Sequence, residues 1–416
     1  MVQPPVIVVP GITASGLEDF YPIPPEIVWS AIAHKRYERI SLHPDDQRYE
    51  AAEPARVQPR ALFGIVYDDF VSALRHDLSK RPDKPTPVFA FNYDWRQDCT
   101  LSADQLKDFI DEVLARTRLL PHYKRRPPTM VDLVGHSMGG IIISDYLARH
   151  GQARKNVRKV VTIGTPFEGA IDAILKLATG MGRLTGEMPR DREREAARTF
   201  PALYQLLPTF KDAIHADRGL SDKIFEIGTW QPSILGTLKQ YIRLHKASIT
   251  PEALFQGYLS QADQLRTRIR GLTPADVLPD AEDGWLPIVG VGAKTQVDVR
   301  ISLWKRKPWW LFNDEEVNEG PTSERTGDGT VPFLGACPRF LKRERLVCVT
   351  PGDFSFWEFK DRALAAVAGF HGTLPTVNLV QRLVVTFLRT GYDSDVWAHP
   401  APGVTKPRWP RWLKED

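Results

Sequence analysis

The sequence predicts an α/β fold in which a mostly parallel, doubly wound sheet carries a helical insertion. Short apolar runs alternate with helical patterns up to about residue 169, which is typical of strands joined by crossover helices. Strand signals then disappear between about 170 and 285, where helical patterns separated by Pro and Gly dominate. The run Ile288-Val289-Gly290-Val291 resumes the sheet. We therefore expect a sheet core that is interrupted by a mostly helical cap.

The same pattern divides the chain into three predicted parts. Residues 1–169 form the first part of the core, with an irregular insertion at about 20–60 that is rich in Pro and charge. Residues 170–285 form the cap. Residues 286–416 complete the core and carry a hairpin at 295–318 and a Pro- and Trp-rich tail.

Composition limits the classes of function. The chain has 416 residues, of which 55 are basic and 51 acidic, and its net charge of +4 gives no electrostatic argument for a nucleic-acid partner. The three cysteines are widely spaced and form no Cys-x-x-Cys pair, which argues against a disulfide framework or a zinc site and fits a reducing compartment. The sequence shows no pattern typical of a signal peptide. It also has no apolar run that approaches the roughly eighteen residues of a membrane span. We expect a soluble, cytoplasmic protein, with peripheral membrane contact left open.

The elements before the centre of the chain follow in order. Val6-Ile7-Val8-Val9 is a β-branched run that Pro10 ends, which predicts a buried strand. Apolar residues at helical spacing predict helices at 66–79 and 102–119, and a strand is expected at 88–91 between them. In the insertion, Trp29 and Tyr37 are expected to pack against the core.

The centre of the sequence is the stretch around Ser137. Val131-Asp132-Leu133-Val134 is too short for a buried helix, Gly135-His136-Ser137-Met138-Gly139 follows it, and a helical pattern then runs to Gly151. Strand, sharp turn and helix around Gly-x-Ser-x-Gly form a nucleophile elbow, in which a strained serine stands at the tip of a sheet. Ser137 is therefore predicted to be a nucleophile.

The elbow gives the loop after the first strand a second interpretation. In a sheet with such an elbow, this loop supplies a backbone N–H group to the oxyanion hole, and here Gly11 and Ile12 would do so. A plain tight turn explains the same residues, and both interpretations remain open at this point.

A strand at Val157–Gly164 and then the cap follow the elbow helix. The cap is predicted to contain five helical segments: 171–179, 191–207, 221–227, 235–247 and 252–271.

The hairpin after the cap also has two interpretations. Its strands are the alternating residues from Val297 to Leu303 and the run from Trp309 to Phe312, with a turn at Lys305-Arg306-Lys307-Pro308. Trp309 and Trp310 beside three basic residues could contact an anionic membrane surface. A packed hairpin with a basic turn explains the same residues and is slightly favoured.

A serine hydroxyl needs a base, and a neutral imidazole, whose ordinary pKa lies near 6.5, is suited to that role. A carboxylate must orient the imidazole, and in this class of sheet the chain order is Ser, acid, His. Of the late histidines, His371 lies between the last predicted strand and the closing helix, whereas His399 lies in the tail. Asp328 is the favoured acid because it is flanked by Gly327 and Gly329 in a loop after the resumed sheet. The other acids considered are Asp280, Asp283, Asp298 and Asp314.

Six motifs together resemble one family, the lecithin:cholesterol acyltransferase-like lipases and acyltransferases of the α/β-hydrolase superfamily. They are Val9-Pro10-Gly11-Ile12, Tyr93-Asp94-Trp95-Arg96, Gly135-His136-Ser137-Met138-Gly139, Thr165-Pro166-Phe167-Glu168-Gly169, Gly327-Asp328-Gly329-Thr330-Val331-Pro332 and His371.

The resemblance implies Ser137 as nucleophile, Asp328 as acid and His371 as base. It implies the Met138 N–H as one oxyanion donor, while the second is Ile12 by the general rule or a residue near Phe63. The signal peptide and disulfide-pinned lid of secreted members are not found in this sequence.

The sequence thus predicts a serine acyl hydrolase or acyltransferase that cleaves a lipid ester through an acyl-enzyme, without metal or cofactor. Its partner is a lipid or another acyl ester, and its substrate-binding residues are not predicted. One alternative is a soluble carboxylesterase or thioesterase, and another is a catalytically silent binding or sensor protein on the same scaffold. Arg96 and Glu168 are expected to be structural, with Arg96 paired to a carboxylate.

Overall fold

The computed structural model describes residues 3–30, 35–42, 56–151, 153–180, 191–279, 283–312, 317–354, 369–389, 396–409 and 413–415. Asp280 and Asp314, which were considered as acids, lie outside these residues, as do parts of the predicted insertion, cap, hairpin and tail.

The described strands are numbered in chain order: β1 Val6–Val9, β2 Ser15–Asp19, β3 Glu26–Trp29, β4 Val57–Leu62, β5 Val88–Ala90, β6 Val131–His136, β7 Val157–Ile163, β8 Ile214–Ala216, β9 Trp285–Gly290, β10 Val299–Trp304, β11 Lys307–Leu311, β12 Val347–Val349, β13 Trp397–Ala398 and β14 Lys414–Glu415. The described α-helices are α1 Tyr37–Ile40, α2 Gly64–Asp77, α3 Cys99–Arg118, α4 Met138–Arg149, α5 Ala153–Asn156, α6 Ile171–Thr179, α7 Asp191–Ala197, α8 Pro201–Tyr204, α9 Ser233–His245, α10 Pro251–Arg270, α11 Pro274–Val277, α12 Phe333–Ala336 and α13 Asn378–Arg389. Short 3₁₀ segments lie at Pro121–Tyr123, Ile227–Thr229, Arg343–Arg345, Pro351–Asp353 and Leu374–Thr376.

The central sheet has six strands in the order β12-β9-β7-β6-β1-β5, and every pairing in it is parallel. Alternate residues of β1 face opposite sides: Ile7 and Val9 join the apolar core with α3 and α4, while Val6 and Val8 join the core with α2 and α13. A parallel sheet covered by helices on both faces is the doubly wound arrangement. The predicted fold class is therefore confirmed. All carboxyl ends of the strands meet at one edge, which we call the carboxyl edge.

The insertion differs from its prediction because much of what is described there is regular. β2 forms the centre of a three-stranded antiparallel sheet with β3 and β4. Gly16 in β2 and Pro59 in β4 are poor strand formers, which concealed this sheet in the sequence. Pro59 is tolerated because, among the described strands, β4 pairs with β2 alone and lies at the edge of this sheet.

The described part of the predicted cap is mainly helical. The helix predicted at 171–179 coincides with α6, and two others match α9 and α10 within two residues at each end. The predicted helix at 191–207 is divided into α7 and α8 before Pro201. The predicted helix at 221–227 is wrong, since residues 221–226 form no helix and a 3₁₀ turn begins at Ile227.

The hairpin consists of β10 and β11, and it is joined to the cap. β8, which lies within the cap segment, pairs in parallel with β10 to make a three-stranded sheet. Trp310 of β11 packs against Trp230 with ring centroids 5.3 Å apart. Among the described helices none is both long enough and apolar enough to cross a bilayer.

Candidate active site

Ser137 lies in the sharp turn between β6 and α4, at the carboxyl edge. Its backbone angles are φ 53° and ψ −126°, and such a conformation costs a non-glycine residue about 1–3 kcal/mol. A Cβ at Gly139 would collide with the carbonyl oxygen of Val9, and one at Gly135 would lie 2.7 Å from the nitrogen of Gly140. The Gly-x-Ser-x-Gly spacing therefore lets strand and helix approach closely enough to hold the serine in this turn.

The structure brings Ser137, His371 and Asp328 together. His371 Nε2 lies 2.8 Å from Ser137 Oγ, and His371 Nδ1 lies 2.6 Å from Asp328 Oδ2. Because a carboxylate accepts hydrogen bonds, the Nδ1–H of His371 donates to Asp328, and Nε2 is left to accept from the serine hydroxyl. All three residues are buried. In this geometry an imidazole can remove a proton from a serine hydroxyl.

The loop around Asp328 fixes its carboxylate. Asp328 Oδ1 accepts the N–H groups of Thr330 and Val331 at 3.0 and 2.7 Å, so that Oδ2 is directed to His371. The His371 N–H also donates to the backbone carbonyl of Asp328 at 2.9 Å. Gly329 has a φ of 97°, which glycine adopts without strain. Asp328 and His371 are thus connected through both side chain and main chain.

A second histidine, His136, lies beside His371 with ring centroids 5.2 Å apart. His136 Nε2–H donates to the backbone carbonyl of His371 at 3.0 Å, so Nδ1 is the acceptor for the Tyr67 hydroxyl at 2.6 Å. Tyr67 Oη in turn accepts the Gly11 N–H at 3.1 Å. This second chain of hydrogen bonds therefore connects the loop after β1 to the main chain of His371.

Burial keeps this second chain uncharged. Burial, together with the proximity of His371, lowers the pKa of His136 to about 3. Burial also raises the pKa of the Tyr67 hydroxyl above its ordinary value. His136 is consequently neutral and Tyr67 protonated at neutral pH, as the donors and acceptors of the chain require.

Two of the predicted oxyanion donors already have acceptors for their N–H groups. The Gly11 N–H donates to Tyr67, and the Phe63 N–H donates to the carbonyl of Ala14 at 2.8 Å. Gly11 does lie against the serine, since a Cβ placed on it would be 3.5 Å from Ser137 Oγ.

The other two donors are Met138, which follows the serine, and Ile12, which follows Gly11. Within the described parts of the chain, neither of their N–H groups has a hydrogen-bond acceptor. The geometry favours Met138 and Ile12 over Gly11 and Phe63, and the oxyanion hole itself stays a prediction.

The Tyr93-Asp94-Trp95-Arg96 motif holds the loop after β1. The Tyr93 hydroxyl donates to the carbonyl of Pro10 at 2.8 Å, and Trp95 Nε1–H donates to the carbonyl of Ser15 at 3.0 Å. Buried Arg96 pairs with Asp94, as the sequence suggested.

Glu168 and the other residues considered as acid or base have partners away from this centre. Glu168 accepts hydrogen bonds from Arg270 and Thr209. The remaining residues form three pairs: Asp283 with Arg345, Asp298 with Arg325, and His399 with Asp353. Across the described residues, no cluster of three or more His, Cys, Asp or Glu side chains could hold a metal ion.

A partly open apolar pocket lies beside Ile12, and the empty space in and around its mouth is ≈ 350 Å³, open solvent included. The insertion contributes Trp29 to its wall, and the cap contributes Phe200 and Leu203. A buried ion pair, Lys176 with Glu193 at 2.6 Å, also lines it. The sequence did not identify this pocket, because its wall is assembled from segments more than 150 residues apart. The sequence signal was the expectation that Trp29 and Tyr37 pack against the core, and both residues line the pocket.

Comparison with known proteins supports the predicted resemblance. Residues 67–263 match the family model described as lecithin:cholesterol acyltransferase. Phospholipase A(1) LCAT3 of Arabidopsis thaliana is 36% identical over 90 residues, which are 21% of this chain and 18% of that protein. Lecithin-cholesterol acyltransferase-like 4 of the same plant is 28% identical over 101 residues, 24% of this chain and 18% of that protein. The resemblance is confirmed, and the match spans less than a fifth of either relative.

The structure also resembles a solved one over most of its length. The crystal structure of the Tle4-Tli4 complex contains a chain that aligns with a TM-score of 0.62, covering 93% of this chain and 98% of that one at 15% identity. At this identity the similarity shows the fold alone.

Proposed function

We propose that this chain, which carries a region of the lecithin:cholesterol acyltransferase type at residues 67–263, is a serine acyl hydrolase or acyltransferase that acts on a lipid ester. The observation that supports this most is the unbroken line of hydrogen bonds from Asp328 through His371 to Ser137. In this proposal Ser137 is the nucleophile, His371 the general base and acid, and Asp328 the carboxylate that orients His371.

The proposed reaction begins with attack of Ser137 Oγ on the ester carbonyl carbon while His371 Nε2 takes the hydroxyl proton. The negative charge that develops on the carbonyl oxygen is stabilised by the N–H groups of Met138 and Ile12. Loss of one such donor typically reduces kcat by about 100- to 1,000-fold. His371 then gives its proton to the departing alcohol oxygen, and the acyl group stays on Ser137.

Water or an alcohol completes the cycle. His371 takes a proton from it as it attacks the acyl-enzyme, and the proton returns to Ser137 Oγ when the acyl–oxygen bond breaks. Water yields a free acid, which is hydrolysis, and an alcohol yields a new ester, which is acyl transfer. The chemistry needs only side chains and backbone N–H groups of this chain.

The apolar pocket beside Ile12 supports a lipid as the source of the acyl group. A pocket with aromatic and aliphatic walls suits a hydrocarbon chain, whose burial is favourable in proportion to its apolar area. Because Phe200 and Leu203 of its wall lie in the 170–285 segment, we propose that this segment acts as the cap and selects the acyl group.

Covalent labelling tests the proposed nucleophile. A fluorophosphonate should label the native protein once, and Ser137→Ala should abolish labelling. Ser144→Ala is a matched control, because this buried serine of α4 donates to the carbonyl of Gly140 and should leave labelling intact. Absence of label on native protein would favour the silent scaffold that the sequence left open.

Product analysis separates the lipid enzyme from a soluble esterase. After incubation with a mixed phospholipid extract, mass spectrometry should show fatty acid or a new acyl ester together with a lysolipid. Turnover of short nitrophenyl esters, with no gain from longer chains or vesicles, would favour the soluble carboxylesterase or thioesterase instead.

A further inference from the structure

The hairpin β10–β11 presents two different faces. In its register Ile301 pairs with Trp310, and both are buried against the cap. Residues directly opposite in an antiparallel pair share a face, and that face changes with each step along the strand. Trp304, Trp309 and Leu311 therefore lie on the other face, where they are 60%, 44% and 41% exposed. The packed hairpin predicted from the sequence thus describes only one side of this element.

The tip of the hairpin is cationic. Lys305 and Arg306 form its two-residue turn, Lys307 follows, and all three are exposed. Both turn residues have positive φ, 49° and 64°, a conformation for which Asn-Gly is the preferred sequence. The chain therefore carries two cations at positions where its backbone favours uncharged residues. Lys305 Nζ also lies 5.9 Å from the ring centroid of Trp304.

The hairpin is fixed to the site already described. The segment between β9 and β10 leaves the sheet at the carboxyl edge, where Thr295 Oγ1 accepts the N–H of Gly329 at 2.9 Å. Gly329 is the neighbour of Asp328. The start of β10, at the base of the hairpin, also pairs with β8 of the predicted cap segment. The base of the hairpin is thus attached to the carboxyl edge.

We propose that this hairpin binds the surface of an anionic phospholipid membrane through its tip, residues 305–307, and its exposed face, Trp304, Trp309 and Leu311. Tryptophan favours the headgroup region of a bilayer, and lysine and arginine are attracted to anionic headgroups. Exposed tryptophans beside three exposed cations combine both preferences. The surface would bring the carboxyl edge, with Ser137, to the lipid. Binding itself does not depend on the proposed function, so it is tested with catalysis removed.

The test is co-sedimentation of the Ser137→Ala protein with phosphatidylcholine vesicles that contain either no anionic lipid or about one-third phosphatidylserine. We expect binding to the anionic vesicles, much weaker binding to the neutral ones, and a decrease with added salt. Trp304→Ser/Trp309→Ser should remove most of the binding. Equal binding to both vesicle types, or no binding to either, would overturn the proposal.

A second variant removes charge without loss of fold. Lys305→Asn/Arg306→Gly supplies the residues that the turn prefers, and it should weaken binding about ten- to thirtyfold. The matched control is Arg125→Asn/Arg126→Gly, in another exposed basic cluster, which precedes β6 and so lies at the opposite edge of the sheet. Equal losses in the two variants would indicate general charge attraction and contradict a hairpin surface. Dimerisation abolished by Trp304→Ser/Trp309→Ser, without vesicle binding, would assign the face to a second copy instead.

Discussion

Two chains of hydrogen bonds meet beside Ser137, and each passes through a histidine. One runs from Asp328 through His371 to the serine hydroxyl, and the other runs from Gly11 through Tyr67 and His136 to the main chain of His371. The imidazoles are neighbours, yet their partners differ. His371 has a carboxylate on one side and a hydroxyl on the other. His136 is bonded to a phenol and a backbone carbonyl, and burial keeps it neutral.

This difference shows why proximity to a serine does not make a histidine a base. An imidazole that accepts a proton needs a group that stabilises its cation, and Asp328 supplies one to His371. His136 faces a phenol and a carbonyl in a buried environment that lowers its pKa to about 3. The hydrogen bonds of His136 instead position the loop after β1 and the backbone of His371.

The first prediction, which has the largest expected effect, replaces each histidine in turn with glutamine. His371→Gln should reduce kcat on the order of 10⁶-fold, because loss of the base removes the whole proton-transfer path. His136→Gln should reduce kcat by no more than about tenfold, since it disturbs position alone. Steady-state turnover of a chromogenic ester measures both. Losses of similar size would mean that His136 takes part in proton transfer.

The second prediction concerns the carboxylate of Asp328. Asp328→Asn keeps the size of the side chain and its contacts with Thr330 and Val331 but removes the carboxylate, so kcat should fall on the order of 10⁴-fold. Asp353→Asn is the control, because Asp353 pairs with the tail histidine His399. Turnover near the native level in Asp328→Asn would leave His371 without its proposed partner.

A third prediction concerns stability and follows from the pKa of His136. Unfolded histidine has a pKa near 6.5, and the folded value is about 3, so below pH 6.5 the unfolded chain binds a proton that the native state does not. The contribution of neutral His136 is fully present above pH 6.5 and is lost as pH falls towards 3. Between pH 7.5 and pH 5 the native protein should lose on the order of 2 kcal/mol more of its unfolding free energy than His136→Gln.

Urea unfolding at a series of pH values measures this difference. His136→Gln is the reference, because the carboxylates that titrate in the same pH interval contribute equally to both proteins. Parallel curves of unfolding free energy against pH would show that His136 is not held neutral in the native state.

The two chains of hydrogen bonds also differ in how far the sequence could predict them. The elbow was predictable because its strain and its glycine spacing are local, and Asp328 and His371 followed from the chain order of this fold class. Their catalytic roles stay a prediction. The second chain was not predictable, since Tyr67 belongs to an amphipathic helix in which an aromatic residue normally means core packing. Its hydroxyl meets His136 only because the fold brings positions 69 residues apart together.

The smallest expected effect tests whether the second chain positions the site. Tyr67→Phe removes one hydroxyl and leaves the Gly11 N–H and His136 Nδ1 without their partner, so stability should fall by about 1–3 kcal/mol. The loop at Gly11 would keep its hydrogen bonds to Tyr93 and Trp95 but lose the one to Tyr67. The resulting shift of Ile12 should reduce kcat by roughly tenfold with little change in KM. Tyr123→Phe is the matched control, because that hydroxyl donates to Gln3 before β1, at the opposite edge of the sheet. Tyr123→Phe should lower stability without lowering kcat. Equal kcat in the two variants would mean that the second chain of hydrogen bonds supports the fold and does not position the site.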